Sequence, residues 1–217
     1  MTLLIVDLDH TLINTDLLYE SSMGALKKNP LLIFIYPFWF LRGKGYLKEQ
    51  LTKRFSIDVS TLPYNQDVID YIKKRKKQGD KVILATASHK LYAFAVSNYL
   101  KIEKTQAKNK QQDFDLFTHN SQQTTVKKID LFDDVMASNK NFNLSSHNKA
   151  EKLIERFGDK GFDYIGDHLR DLPVWEASNL SILVNVPNKV INKTRHLNTL
   201  VLSKKIKKCN ILKNNYF

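Results

Sequence analysis

Four short runs rich in apolar residues alternate with longer segments of helical character along this chain of 217 residues. The runs lie at 3–8, 81–85, 162–165 and 180–184, and each has the length and the Val, Ile and Leu content of a buried strand. Buried strands that alternate with helices predict a parallel α/β sheet with right-handed crossovers. We therefore expect a Rossmann-like α/β core.

Two of the helical segments have signals at both ends. Asn65 can cap a helix that runs to Gln78, where Gly79 suits the position after a helix end. Ser146 precedes apolar residues at helical spacing, and Gly158 ends that pattern. Both segments are therefore predicted to be helices.

The composition excludes several classes of protein. A single cysteine, Cys209, rules out a disulfide framework and a multi-cysteine zinc site. The N-terminus has no basic region before its apolar run, so we expect no signal peptide. The longest apolar run, Leu31 to Leu41, has eleven residues, whereas a spanning helix needs about 20. We expect a cytoplasmic protein, with membrane association left open.

Two segments differ from the rest in polarity and charge. Residues 101–128 are rich in Lys, Gln, Asn and Thr, and we expect a polar surface insertion there. Residues 187–217 hold eight Lys or Arg and no Asp or Glu, which is most of the formal net charge of +12. The basicity therefore belongs mainly to a C-terminal tail that the core does not need. We expect weak contact of this tail with acidic surfaces and no specific nucleic-acid binding.

Polar residues lie where the predicted strands end. They are Asp7, Asp9 and Thr11 after the first strand, Thr86, Ala87 and Ser88 after the second, Lys149 in the first turn of a helix, and Asp167 and Asp171 after the third strand. Ligands of open parallel sheets bind at the carboxyl ends of the strands, so these side chains are expected on one rim.

This grouping suits phosphoryl transfer. A phosphate ester repels an anionic nucleophile, and Mg²⁺ and a lysine can cancel that charge. Carboxylate oxygens favour Mg²⁺ over zinc. One Asp can attack phosphorus, and a second Asp two residues further on can serve as acid and then base.

The motifs resemble those of the haloacid dehalogenase superfamily of phosphohydrolases. DLDHT (7–11), LATAS (84–88), Lys149 and GDHLRD (166–171) occur in the order found in that superfamily. The resemblance covers residues 3–100 and 129–185. It implies a Mg²⁺-dependent phosphomonoester hydrolase with a phosphorylated small molecule as substrate.

The resemblance also implies a role for each residue. Asp7 would be the nucleophile and a Mg²⁺ ligand, and Asp9 the general acid/base and a ligand through its backbone carbonyl. Lys149 would neutralise Asp7 and the phosphate. The other implied roles are substrate binding by Thr11, Thr86, Ala87 and Ser88, with Thr86 on the phosphoryl group, and metal binding by Asp167 and Asp171.

The domain boundaries follow from the same resemblance. The core is expected at 1–13 and 76–186. A helical cap at 14–75, inserted after the first strand, would close over the site and select the substrate.

A closer similarity is visible to the phosphatase-like domain that is fused to polyprenyltransferases in bacteria. It rests on TDLLYE (15–20), LPYN (62–65), FDYIGD (162–167) and DLPVW (171–175). The chain ends after the basic tail, so we do not expect prenyl transfer. Two features depart from the pattern: His168 stands where small residues are frequent, and the 101–128 insertion is not typical.

Several site residues also have a simpler interpretation. Lys149 could be an exposed helix residue, Thr86 a strand-end hydroxyl bonded to backbone, and Asp171 the cap of a following helix. The Leu31–Leu41 run is expected to fill the core of the cap rather than to contact a membrane.

Two alternative functions stay open. One is a phosphatase for polyprenyl or other lipid-linked phosphates, and the other is a non-catalytic protein that binds a membrane or nucleic acid through its basic tail.

Overall fold

The computed structural model describes residues 2–106 and 125–204. The strands in this part of the chain are β1 (Leu3–Val6), β2 (Lys81–His89), β3 (Lys101–Gln106), β4 (Thr125–Asp130), β5 (Asp134–Ser138), β6 (Asp163–Gly166), β7 (Ser181–Val186) and β8 (Thr199–Lys204). Six of them form one parallel sheet in the order β5-β2-β1-β6-β7-β8. The predicted parallel α/β core is therefore confirmed.

The helices connect these strands and form the cap. They are α1 (Leu17–Lys28), α2 (Leu32–Leu41), α3 (Lys44–Thr52), α4 (Gln66–Lys77), α5 (Lys90–Tyr99), α6 (His147–Phe157), α7 (Leu172–Ala177) and α8 (Asn188–Lys193), with short 3-10 turns at Val59–Thr61 and Leu169–Asp171. The predicted helix at 146–158 is confirmed, with Ser146 and Gly158 as its cap residues.

The alternating side chains of the central strands separate two cores. Leu4 and Val6 of β1 pack with α4 and α5 on one face of the sheet, whereas Ile5 packs with α6 and α7 on the other. All three side chains are fully buried. A strand buried on both faces is what the continuous apolar run at 3–8 indicates.

The helix α4 belongs to the core rather than to the cap. Val68, Ile69 and Ile72 are buried in the same cluster as Leu4 and Val82 of the sheet. The expected boundary at 75/76 falls inside this helix, so that expectation is wrong. The cap helices are α1, α2 and α3.

The Leu31–Leu41 run was expected to fill the core of the cap, but only a small part of it does so. Leu32 and Trp39 are buried with Ala25, Leu47 and Leu51 in a cluster of the cap's own. Most other large apolar side chains of the run face solvent. Among the described residues, no helix is long and apolar enough to cross a membrane.

The segment 187–217 is not only a tail. The helix α8 buries Val190, and β8 extends the sheet by pairing with β7 from Ser181↔Thr199 to Val186↔Lys204. Val201 and Leu202 of β8 pack against the two cores. The expectation that the core does not need this segment is therefore wrong as far as Lys204, and residues 205–217 lie outside the described part.

The expected insertion at 101–128 begins with β3, and its last residues belong to β4. The backbone of β3 pairs antiparallel with that of β4 as a separate two-stranded sheet. Residues 107–124 of the expected insertion lie outside the described residues.

A truncation tests the place of β8 in the core. A chain that ends after Asn198 loses the packing of Val201 and Leu202, so we expect its free energy of unfolding to fall by roughly 2 kcal/mol or more. A chain that ends after Lys204 keeps the strand and serves as the control. Urea unfolding of both chains measures the difference, and equal midpoints would contradict the assignment.

Candidate active site

Asp7 and Lys149 form a buried ion pair at the carboxyl edge of the sheet. Asp7 follows β1, and its backbone N–H donates to the carbonyl oxygen of Ile165 in β6 at 3.0 Å. Lys149, in the first turn of α6, is 2% exposed, and its Nζ donates to Asp7 Oδ1 at 2.7 Å and to the Tyr164 hydroxyl at 2.8 Å. Burial lowers the pKa of Lys149, but the carboxylates of Asp7 and Asp171 outweigh this effect and raise it. The lysine therefore stays charged.

Three carboxylates converge beside this ion pair. One oxygen from each of Asp7, Asp167 and Asp171 lies within 4.8 Å of the others. Gly166 makes this approach possible, because a Cβ there would lie 2.7 Å from Asp171 Oδ2. The Tyr164 hydroxyl donates to Asp171 Oδ1 at 3.0 Å and fixes that side chain.

The electrostatics of the cluster fit a divalent cation. Burial, followed by the charges of Asp7 and Asp171, raises the pKa of Asp167 to about 8. Burial and the charge of Asp7 also raise the pKa of Asp171, although Lys149 opposes this. A cation between the three oxygens would remove the repulsion, and hard carboxylate ligands suit Mg²⁺. The residues present therefore fit the expected Mg²⁺.

Asp9 is held from both the cap and the core. Its Oδ1 accepts from the N–H of Leu17, the first residue of α1, at 2.9 Å, and its Oδ2 accepts from Ser88 Oγ at 2.6 Å. Burial, helped by the charges of Asp16 and Asp7, raises the pKa of Asp9 to about 7. A carboxyl group with this pKa can both donate and accept a proton near neutrality.

The residues expected to bind substrate on the second strand lie within β2, which runs further than predicted. Ala87 and Ser88 line the pocket, and the Ser88 hydroxyl is bonded to Asp9. Thr86 is fully buried, and its Oγ1 accepts from the Ser88 N–H at 2.9 Å. Thr86 therefore matches its simpler interpretation in this structure, and its role as a phosphoryl ligand stays a prediction.

The simpler interpretations of Lys149 and Asp171 do not match the structure. Lys149 is buried rather than exposed. Asp171 occupies the N-cap position of α7 but makes no side-chain capping bond there. Thr11, the remaining predicted substrate ligand, is fully buried behind the site, where its Oγ1 lies 3.5 Å from Asp167 Oδ1.

One pocket of about 210 Å³ brings most of the predicted residues together. They are Asp7, Asp9, Ala87, Ser88, Lys149, Asp167 and Asp171. A larger cavity of about 670 Å³ lies at the opposite edge of the sheet, beside Lys81 and Asp133, and contains none of them. The residues that line the smaller pocket, and not its volume, therefore identify it as the candidate site.

Two further residues that make side-chain bonds at the site were not among the predicted site residues. Lys48 of α3 is buried, and its Nζ donates to the carbonyl oxygen of Ala87 at 2.5 Å and to Asn143 Oδ1 at 3.2 Å. Burial lowers its pKa. The other is Tyr164, which reads in the sequence as one more aromatic residue of a buried strand. Neither has a local signal that distinguishes it from its neighbours.

The cap is closed over the pocket. Glu49 of α3 pairs with the buried ring of His89 at 2.8 Å, next to the contacts of Lys48. Gly45 allows this approach, because a Cβ there would lie 2.7 Å from the carbonyl oxygen of Lys140. The helix α3 is therefore the wall of the pocket that the cap supplies.

His168, the expected departure near the metal, has a local structural role. Its Nδ1 accepts from the N–H of Arg170 at 3.0 Å, and its own N–H donates to Asp171 Oδ2 at 3.3 Å. These bonds form a capping box on the Leu169–Asp171 turn. The histidine thus helps to position the neighbouring carboxylate.

Sequence comparison with known proteins finds little, whereas structural comparison finds proteins with the same fold. No family model matches the chain. The uncharacterized protein y4nM of Sinorhizobium fredii is 32% identical over 193 residues, which is 88% of this chain and 31% of that protein. The chain thus spans about a third of the length of this curated relative.

Solved structures match the fold at low identity. A HAD family hydrolase from Salmonella enterica serovar Typhi aligns over 94% of this chain and 67% of its own, with 12% identity and a TM-score of 0.53. A phosphoserine phosphatase solved as a phospho-aspartyl intermediate analogue aligns over 94% and 93%, with 15% identity and a TM-score of 0.54. The chain has the fold of the haloacid dehalogenase hydrolases. A predicted phosphatase from Clostridium acetobutylicum aligns over 93% and 94%, with 13% identity and a TM-score of 0.56.

The cluster of Asp7, Asp167 and Asp171 should make the thermal stability of the protein depend on pH. Asp167 has a pKa of about 8 in the folded chain and an ordinary value of 3.8, so the folded state holds a proton that the unfolded state releases between these values. We expect the Tm of the metal-free protein to fall as the pH rises from about 5 to about 8. Mg²⁺ should raise the Tm more at the upper pH than at the lower.

Two variants test the cause of this dependence. Asp167→Asn should make the fall of Tm with pH shallower, with the remainder due to Asp9 and Asp171, and should weaken the effect of Mg²⁺. Asp159→Asn, which changes an exposed carboxylate, should leave both unchanged. Thermal scans across the pH range with and without Mg²⁺ measure this. A Tm with the same pH profile in all three proteins would rule out the cluster as the cause.

Proposed function

We propose that the protein is a Mg²⁺-dependent phosphomonoester hydrolase that acts through an aspartyl-phosphate on Asp7. The proposal rests on one observation: Lys149 Nζ lies 2.7 Å from Asp7 Oδ1, in a pocket that Asp9, Asp167 and Asp171 share. A non-catalytic binding protein would not require these groups together. Bound Mg²⁺ would neutralise charge on the phosphate and polarise its oxygens.

The first step is attack by Asp7. A carboxylate oxygen of Asp7 forms a bond to phosphorus as the bond from phosphorus to the alcohol oxygen breaks. Lys149 offsets the negative charge of the nucleophile and of the phosphoryl oxygens. Asp9, protonated in part near neutral pH, donates its proton to the leaving oxygen and releases the alcohol.

The second step regenerates the enzyme. Asp9, now a carboxylate, takes a proton from a water molecule whose oxygen attacks the phosphorus of the aspartyl-phosphate. The bond between phosphorus and the Asp7 oxygen breaks, and inorganic phosphate leaves. The bonds from Leu17 and Ser88 keep the Asp9 carboxyl in one place through both steps.

The closed cap limits what reaches the nucleophile. The pocket holds about 210 Å³, and its cap wall carries Lys44 and Lys48, with Arg170 on the core side. These cations suit the anionic end of a phosphate ester. The small volume favours a phosphoryl group inside the pocket with its alcohol directed outward.

Substitution of the two motif carboxylates tests the mechanism. Asp7→Asn should abolish turnover because an amide cannot form the acyl phosphate, and Asp9→Asn should lower kcat by about 10² to 10⁴ through loss of the acid/base. Rates are measured on the best substrate of a phosphate-ester panel with Mg²⁺. Quenched single turnovers with mass spectrometry should locate the phosphoryl group on Asp7.

A matched control separates chemistry from folding. Asp134→Asn removes a carboxylate that pairs with Arg156 at the start of β5, away from the pocket, and should keep wild-type kcat. Near-wild-type rates in Asp7→Asn would exclude the covalent mechanism. A melting temperature close to that of the control is required of both active-site variants.

A second candidate substrate class is lipid-linked phosphates. A groove of about 640 Å³ shares His10, Asp16 and Leu18 with the pocket and runs along α1 to Tyr36 of α2. Tyr19, which is 60% exposed, lies along this groove. An extended apolar alcohol can lie there while its phosphate occupies the pocket.

The groove gives a test that discriminates between substrates. Tyr19→Ala should lower kcat/KM for a prenyl phosphate by roughly tenfold and leave kcat/KM for an aryl phosphate unchanged, because only the prenyl chain reaches the ring. Phe94→Ala, at an exposed aromatic residue of α5, is the control. Equal effects on both substrates would favour a small soluble phosphate ester.

A further inference from the structure

The helix α2 carries an exposed apolar surface at the outside of the cap. We call it the α2 surface, and it consists of Leu31, Ile33, Phe34, Ile35, Phe38, Phe40 and Leu41. These side chains are between 46% and 81% exposed. Contiguous exposed apolar side chains of this kind mark interaction sites in folded proteins.

The α2 surface is held on a fixed support. Leu32 and Trp39 anchor the other side of the helix in the cap core. The Tyr36 hydroxyl lies 2.9 Å from Ser22 Oγ of α1, and the guanidinium of Arg54 lies 4.5 Å from the centre of the Trp39 ring. The exposed side chains therefore project from a helix that is packed in place on the cap.

The charges around the α2 surface have one sign. Residues 21–42 contain three Lys or Arg and no Asp or Glu. Lys27 and Lys28 end α1 just before the surface, and Arg42 follows it. This arrangement is complementary to an anionic partner.

We propose that the α2 surface docks on an anionic lipid bilayer. Its exposed side chains are wholly apolar, whereas a protein interface carries about one hydrogen bond per 100–200 Å². Phe side chains with flanking Lys and Arg suit the boundary between acyl chains and anionic head groups. A helix of ten residues is about 15 Å long and lies along such a boundary.

The groove of the candidate active site ends beside this surface. Tyr36 of α2 lines the groove that begins at His10 and Asp16. Docking through α2 would therefore bring the outer end of the groove close to the bilayer. The binding itself does not depend on the proposed hydrolase, since no residue of the α2 surface lines the pocket.

Vesicle flotation with the full chain tests the proposal. The probes are vesicles of phosphatidylcholine alone and vesicles with roughly one-third phosphatidylglycerol, and we expect at least about fivefold tighter binding to the latter. The double variant Phe34→Ser, Phe38→Ser should weaken that binding by at least about tenfold. Leu91→Ser, Phe94→Ser changes two exposed apolar side chains of α5 and should bind as the wild type does.

A second pair of variants tests the charge. Lys27→Gln, Lys28→Gln should weaken binding to the anionic vesicles and leave binding to phosphatidylcholine unchanged. Lys74→Gln, Lys77→Gln, at exposed positions of α4, is the control and should change neither.

Three results would overturn the proposal. The first is absence of binding to either vesicle. The second is binding that survives Phe34→Ser, Phe38→Ser and disappears in salt, which would assign it to cationic residues elsewhere in the chain. The third is a dimer in light scattering that this double variant dissociates without any effect on vesicle binding, which would make the α2 surface an interface between copies of the chain.

Discussion

Four carboxylates, those of Asp7, Asp9, Asp167 and Asp171, lie near the single ammonium group of Lys149 at one edge of the sheet. The properties of the site depend on this excess of negative charge. Burial raises the pKa of Asp9 and Asp167 because water cannot reach the carboxylates to stabilise their charge. At the opposite edge every carboxylate of the buried group has a direct ionic partner: Arg75 pairs with both Asp80 and Asp163, where β2 and β6 begin. At the active-site edge, by contrast, Asp167 has no salt bridge within the described residues, and its repulsion with Asp7 and Asp171 would be relieved by a cation.

The core could be predicted because its signals are local. A strand buried on both faces must be apolar along its length, so β1 and β2 are visible as continuous runs. Polar residues placed directly after such strands are brought to one edge by the parallel topology. This is why the sequence predicts Asp7, Asp9 and Asp167 at one edge, whereas Lys149 was assigned to the site from the order of the family motifs.

The parts that were missed have different causes. Residues 199–204 (TLVLSK) hold an apolar run that suits a strand, but the basic residues on both sides led to their assignment to the tail. The helix α4 has the pattern of any amphipathic helix, and only the structure shows that its apolar face packs on the sheet. The Leu31–Leu41 run is apolar all round, so its composition does not distinguish a buried helix from an exposed one. Lys48 belongs to the same class of residues, because only the closed cap brings its ammonium group to Ala87.

The hydrogen bond from Leu17 to Asp9 joins the cap to the proton chemistry. Leu17 is the first residue of the first cap helix, and its side chain is buried in the cluster of Leu4 and Val6, so the cap is attached to the core next to Asp9. Burial is the main reason for the high pKa of Asp9. A movement of the cap that let water reach the carboxyl group would therefore lower this pKa toward its ordinary value of 3.8 and release the proton. Closure of the cap and protonation of Asp9 are therefore linked equilibria, and a lower pH favours the closed cap.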